Sequence, residues 1–222
     1  HIIIDGLSTD NTIKIINSFD TNKLSLSIGP DNGIYDAMNK GLKSSTGDII
    51  GFLNSDDMYA DENTLCKIAA VFENPSIEAW YGDLVYVNQD NSKILRYWKS
   101  GTYKHYKFSQ GWCPPHPTFY IRRSLLERCE LFDLNYKLAA DAEYMMRILD
   151  KSNVEVSYIE DVLVRMRTGG ATSKNISNVL KQNIEIFRAL KKNNIKFSYL
   201  NFLFQKLHSR LIQVLIRDEI SG

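Results

Sequence analysis

Two acidic turns in this chain stand where α/β proteins place their ligands. Asn54-Ser55-Asp56-Asp57 follows the apolar run Ile49–Leu53, and Asp5 follows another, Ile2–Ile4. In an open α/β sheet, ligands bind beyond the carboxyl ends of the strands. Adjacent carboxylates such as Asp56 and Asp57 repel unless something compensates them. A hard divalent cation is the usual compensator. Two readings therefore fit Asp56-Asp57: a metal or phosphate–metal site, and plain capping of the following helix. Asp5 reads as a ligand-facing carboxylate or as a turn residue. Pro114-Pro115-His116-Pro117 wedges a histidine into a rigid loop. Read alone, that is a packed loop histidine.

The elements that position these groups alternate between strand and helix. Ile2–Ile4, Leu24–Ile28 and Ile49–Leu53 read as strands. The continuous, β-branched character of Ile2–Ile4 suits a parallel sheet buried on both faces. Between them lie a helix carrying Ile13, Ile16 and Phe19, capped by Ser8 or Thr9, and a helix over Ile34–Leu42. A further helix runs from about Asp61 to Phe72. The expected fold class is therefore α/β with a mostly parallel sheet. Ala79–Val87 and Thr118–Ile121 read as strands, with an irregular, aromatic-rich stretch over Tyr97–Cys113. Arg123–Cys129 and Ala140–Asp150 read as helices, and Val154–Ile159 as a last strand. Gly169-Gly170 marks a loop, and 174–192 and 198–217 are two C-terminal helical patterns. The boundaries this suggests are a catalytic unit over 1–173 and a helical appendage over 174–222.

The chain has 222 residues, 44% of them apolar and 24% charged, enough for one domain with a buried core. No run approaches about 18 apolar residues, so no membrane span is expected. The balance of 27 basic and 26 acidic residues argues against bulk electrostatic binding of nucleic acid. The charge is uneven. Residues 181–217 hold eight basic residues against Glu185 alone, a net +7, whereas 1–180 hold 19 basic and 23 acidic residues, a net −4. Cys66, Cys113 and Cys129 form neither a disulfide framework nor a zinc pair, which suits a reducing compartment. No signal peptide is visible. The sequence opens without Met on an apolar run, so further N-terminal sequence, including a strand, is expected upstream.

Three segments together resemble the family-2 inverting glycosyltransferases of the GT-A fold. Ile3-Ile4-Asp5-Gly6-Leu7-Ser8-Thr9-Asp10 is similar to the family's first nucleotide-binding turn. Gly33-Ile34-Tyr35-Asp36-Ala37-Met38-Asn39-Lys40-Gly41, with Thr46-Gly47-Asp48-Ile49-Ile50, is similar to its second segment. Phe52-Leu53-Asn54-Ser55-Asp56-Asp57 resembles its Asp-x-Asp metal region. Weaker similarity continues over 114–122 and 139–149.

The resemblance implies a nucleoside-diphosphate-sugar donor, a hydroxyl acceptor and Mn2+ or Mg2+. It places Asp5 on the base or ribose, Gly33 and Asp36 beside the donor, and the metal on Asp57 and Asp56, with Asp56 also able to contact the ribose or the metal's waters. The metal would act as a Lewis acid on the departing diphosphate. Asn54 stands where the family often has Asp, and it brings no charge. In Ala139-Ala140-Asp141-Ala142-Glu143 the resemblance makes Asp141 the general base, with Glu143 second, although Ala140 stands where many relatives have Glu. Read alone, Asp141 is an ordinary helix cap. His116 falls near the family's active-site rim. Arg165 and Arg167 read as solvated charge, or as diphosphate contacts from a mobile loop.

The tail carries a stripe of Leu200, Leu203, Leu207, Leu211 and Leu215, with Lys206, Arg210 and Arg217 among it. It reads as a packed helix or as a surface-lying membrane helix over 195–217. The resulting expectation is a cytoplasmic enzyme, peripheral at the inner face of the membrane. Its acceptor would be a glycan or lipid-linked glycan in cell-surface polysaccharide assembly. Two rivals are a nucleotidyltransferase and a non-catalytic nucleotide-binding or scaffold module.

Overall fold

The structure, a computed structural model, describes residues 1–151, 154–169 and 175–216. Gly170, Arg217 and the boundary at 173/174 lie outside the described residues. The chain order is β1 (Ile2–Asp5), α1 (Thr12–Ile16), β2 (Ser25–Ile28), α2 (Ile34–Ser44), β3 (Ile49–Ile50) and β4 (Asp57–Tyr59). It continues with α3 (Thr64–Val71), β5 (Ala79–Val87), β6 (Ile94–Trp98), β7 (Tyr120–Arg122), α4 (Ala140–Lys151), β8 (Val156–Arg167), α5 (Ile176–Lys192) and α6 (Tyr199–Leu215).

The α/β class is as expected, but the pairing directions are not those of a mostly parallel sheet. β1 and β2 pair in parallel as a separate ribbon. The larger sheet runs β3-β7-β5-β8-β4, with β6 also on β5. Within it only β5 and β8 are parallel. The connections explain this. A long crossover containing α4 separates β5 from β8, whereas a tight hairpin joins β5 to β6. Asn91 sits at that hairpin with φ +60°. β6 is a strand the sequence reading does not assign, since Arg96 interrupts its apolar pattern; only Tyr97 and Trp98 of it lie in the stretch read as irregular. The strand expected over Ile49–Leu53 pairs only at Ile49 and Ile50. Beyond it the chain turns back, with the Asp57 N–H donating to the Asn54 carbonyl at 3.0 Å.

One core cluster joins the sheet to α2, α4, α5 and α6. Tyr81, Phe108, Phe132, Tyr144, Ile148, Leu190 and Phe202 are buried together. The two C-terminal helices therefore share one core with the sheet and α4. Burying a side chain such as Phe202 stabilises the fold by about 1.5–3 kcal/mol. Asn39 clamps α2 to the chain ahead of α4. Its side chain donates to the Phe132 carbonyl at 3.0 Å and accepts from the Phe132 N–H at 2.9 Å.

α6 covers the edge strand β6 and the turn at Lys107–Gln110. It docks through Phe202, Lys206 and Gln213, not through the leucine stripe. Leu200, Leu207, Leu211 and Leu215 face outward, with exposures of 82, 59, 58 and 75%. No described helix is long and apolar enough to cross a membrane. The close approach of α6 depends on Gly111, whose φ is +77° and where an added Cβ would lie 3.0 Å from Lys206 Cβ and 3.1 Å from the Phe202 carbonyl. Gly111→Ala is expected to destabilise the chain by about 1–3 kcal/mol. The readout is a lower urea midpoint; an unchanged midpoint would contradict this seating of α6.

Candidate active site

Asp57 opens β4 at the edge of the large sheet, where it pairs with Met166 of β8. It is buried. Its Oδ2 accepts a hydrogen bond from Asn54 Nδ2 at 2.8 Å, and its Oδ1 has no partner. Asn54 therefore does something an ionised Asp there does not: it donates to Asp57 and orients it. Burial pushes the Asp57 carboxyl up to about 6, with the Asp56 charge adding to the rise. Asp56 sits in the preceding turn and is exposed. An unpartnered, buried carboxylate oxygen beside a second carboxylate fits a hard divalent cation. Among the described residues no third His, Cys, Asp or Glu joins them. Substrate phosphate oxygens and water would complete such a coordination shell.

Asp5 ends β1. Ser8 donates to it twice, from its backbone N–H at 2.8 Å and its hydroxyl at 2.5 Å. These bonds hold the Asp5 carboxyl below the usual range, so it stays an anionic acceptor. Ser8 thus serves Asp5 and does not cap α1, which starts after Asn11.

Gly33 precedes α2 with φ +110°, a conformation that a side chain strains. Asp36 is committed locally. It accepts from the Asn32 N–H at 3.0 Å and pairs with Lys40 at 3.5 Å, and the Asn32 bond leads in lowering its carboxyl. This closes the first turn of α2, so the carboxylate expected beside the donor is occupied in the fold.

α4 begins at Ala140, which puts Asp141 in its first turn. Glu185 of α5 accepts the backbone N–H groups of Lys137, Leu138 and Ala139 at 2.9, 2.8 and 2.9 Å. A distant carboxylate therefore sets the entry to this helix, and nothing local in the 137–141 sequence signals it. The one acidic residue in the basic 181–217 segment is the signal that was available. Tyr35 of α2 donates its hydroxyl to Asp141 Oδ1 at 3.1 Å.

Glu143 does not stand with Asp141. It is fully buried, and Arg147 and Lys192 hold it at 3.1 and 3.0 Å. Two residues along a helix is about 200° of rotation, which turns Glu143 into the core and away from any acceptor. Its role as second base is withdrawn.

His116 is buried. Its ring stacks on Phe52 at 5.1 Å and meets Phe132 edge-on at 5.6 Å, and its Nε2 has no partner. Burial holds it below the usual histidine range, against an opposing pull from Asp141, so it is neutral at pH 7. Tyr86 of β5 lies within electrostatic reach of both Asp57 and Asp141. Lys206 of α6 senses Asp141 as well, and burial first, then Arg210, lowers it to about 8. Arg165 and Arg167 lie in β8, not in a loop. Arg165 Nε donates to Asn91 Oδ1 at 2.7 Å, so it fastens the β5–β6 hairpin.

Asp57 generates a pH prediction. Its folded-state value of about 6 exceeds the ordinary 3.8, so the folded chain holds an extra proton between those values. Stability from this group is full below about pH 4 and is lost as pH rises through 6. Asp57→Asn is therefore expected to melt roughly 5 °C higher at pH 7. Mn2+ binding by the parent chain should weaken as pH falls below about 6, and the variant should not bind Mn2+ with nucleoside diphosphate. Calorimetry showing equal Mn2+ affinity in the two proteins would contradict this placement.

A "PGL/p-HBAD biosynthesis glycosyltransferase" of Mycobacterium bovis (strain BCG / Pasteur 1173P2) is 28% identical over 179 residues, covering 79% of this chain and 68% of the relative. Staphylococcus aureus TarS 1-349, solved in complex with UDP, matches the fold with a TM-score of 0.61 at 19% identity. The match covers 94% of this chain and 58% of that one. The mannosyltransferase PcManGT from Pyrobaculum calidifontis, solved with GDP-Man and Mn2+, matches with a TM-score of 0.58 at 19% identity. It covers 94% of this chain and 58% of that one. The chain thus spans somewhat over half the length of these solved structures, and it shares their nucleotide-sugar transferase fold. The model of "Glycosyl transferase family 2" matches residues 1–131, and the chain belongs to that family.

Proposed function

We propose that the chain transfers a sugar from a nucleoside-diphosphate-sugar donor to a hydroxyl acceptor, with inversion and with Mn2+ or Mg2+. The observation that carries this reading is a pair of carboxylates in different settings. Asp57 is buried with one oxygen unpartnered, and Asp141 stands in the first turn of a helix, held by a tyrosine.

Asp57 and Asp56 would hold the cation, which when bound supplies Lewis-acid stabilisation of the departing diphosphate. Asp5, anionic and fixed by Ser8, accepts hydrogen bonds from the base or ribose. The backbone at Gly33 approaches the donor closely. The free Nε2 of neutral His116 serves a hydroxyl of the bound sugar. Asp141 takes the proton from the acceptor hydroxyl as that oxygen bonds to the anomeric carbon. The bond from that carbon to the diphosphate oxygen breaks on the opposite face, and its electron pair leaves with the nucleoside diphosphate. The segment 174–222 acts as an appendage of the 1–173 unit that also sets the entry to α4.

The acceptor in this reading is a glycan or lipid-linked glycan of cell-surface polysaccharide assembly, met by a cytoplasmic enzyme at the membrane's inner face. The outward leucine stripe of α6 and the basic charge around it support contact with an anionic lipid surface.

A screen of nucleoside-diphosphate sugars, reading nucleoside diphosphate release, identifies the donor. Asp141→Asn is expected to keep donor affinity and to lower transfer by about 10²–10⁴. Near-normal transfer with lost donor binding would move Asp141 to the donor side. The lipid contact has a separate test, because the stripe lies outside the core. Leu207→Glu with Leu211→Glu is expected to leave the melting temperature unchanged and to release the chain from anionic vesicles. If the parent chain ignores such vesicles, the contact is absent.

A further inference from the structure

Asp141 and the glycine-led segment at the start of α2 lie more than a hundred residues apart, yet one hydrogen bond joins them. Tyr35 Oη donates to Asp141 Oδ1 at 3.1 Å. We propose that Tyr35 is a positioning residue for sugar transfer, holding the Asp141 carboxylate in the orientation from which it takes the acceptor's proton. The inference rests on the reading of Asp141 as the base.

Several observations support it. The Tyr35 ring is fixed on a second side, stacked on Phe132 at 5.8 Å, and Phe132 is itself clamped by Asn39 one turn further along α2. The tyrosine and the clamp share one helix, so the hydroxyl has little freedom relative to α4. Burial first, then the Asp141 charge, raises the phenol far above its ordinary range. It therefore stays protonated and remains a donor at every working pH. A hydrogen bond to a carboxylate is charge-assisted, and it selects one rotamer of a short side chain. A carboxylate tethered through Oδ1 presents Oδ2 to the acceptor. Gly33 and Tyr35 stand two residues apart on the segment that opens α2. A donor seated against the start of α2 is thereby placed relative to the base through one rigid helix.

A merely structural tyrosine would lower stability and act on every variant alike. The test is a double-mutant cycle with Tyr35→Phe and Asp141→Asn. It reads turnover of the donor found in the screen, with water as acceptor, alongside donor affinity and melting temperature. Tyr35→Phe is expected to lower turnover about tenfold at saturating donor, with donor affinity unchanged. In the Asp141→Asn background it should have no further effect. Parent-like turnover in Tyr35→Phe, or the same loss in both backgrounds, overturns the inference. Parent-like turnover in Asp141→Asn overturns the base reading and the inference with it. If Tyr35→Phe folds poorly, fluorotyrosines of graded acidity at position 35 keep the ring's shape. Turnover that tracks hydroxyl acidity supports the proposal, and turnover indifferent to it overturns it.

Discussion

Asn39 and Phe132 exchange two hydrogen bonds inside the core, and the arrangement of the site hangs on that exchange. A buried side-chain amide with both ends satisfied fixes position and angle together, and an unsatisfied one costs about 1–3 kcal/mol per group. The clamp ties the helix of the second sequence segment to the chain that leads into α4. The Phe132 ring then stacks with Tyr144 at 4.3 Å and Tyr35 at 5.8 Å, and packs edge-on against His116 and Phe52. Four rings, Tyr35, Phe52, His116 and Tyr144, thus take their places from one residue whose own type carries no chemistry.

The two acids at the centre differ because their surroundings differ. Asp57 is desolvated, accepts one neutral hydrogen bond and keeps an oxygen unpartnered, which disfavours its charge until a cation arrives. Asp141 stands in the first turn of α4 with a tyrosine hydroxyl on one oxygen. In the proposed reading the cation site and the base site stand on separate elements, the edge strand β4 and the helix α4. The C-terminal helices belong to this arrangement. α5 places a carboxylate on three backbone N–H groups ahead of Asp141, and α6 brings Lys206 within reach of the same acid.

The sequence exposes what is local and hides what is distant. Strand–helix alternation, the bounds of β5 and α4, and the acidic turns are legible because periodicity and turn chemistry act over a few residues. The pairing directions of the large sheet are not, since they depend on which strands meet after long connections. Glu143 looks like a partner of Asp141 by adjacency, and only helix rotation, Arg147 one turn on and the distant Lys192 hold it inward. Asp36 shows the opposite case, where a carboxylate in a functional-looking segment is consumed by its own helix turn. Glu185 and Tyr35 carry no local signal for their roles, since each acts on a residue 46 or more positions away. The leucine stripe of α6 suggests a packing face by composition. The helix instead docks by Phe202 and Lys206, because Gly111 lets its backbone come close there.

The central claim is that a single base, Asp141, acts on the acceptor while the diphosphate leaves from the other face of the sugar. Such a displacement inverts the anomeric centre. Proton NMR of the first product formed, read before any mutarotation, reports that configuration through the anomeric coupling constant. The account predicts a product of opposite anomeric configuration to the donor. A product that retains the donor's configuration would contradict it, because retention requires a second displacement or same-face attack that this placement of Asp141 does not provide.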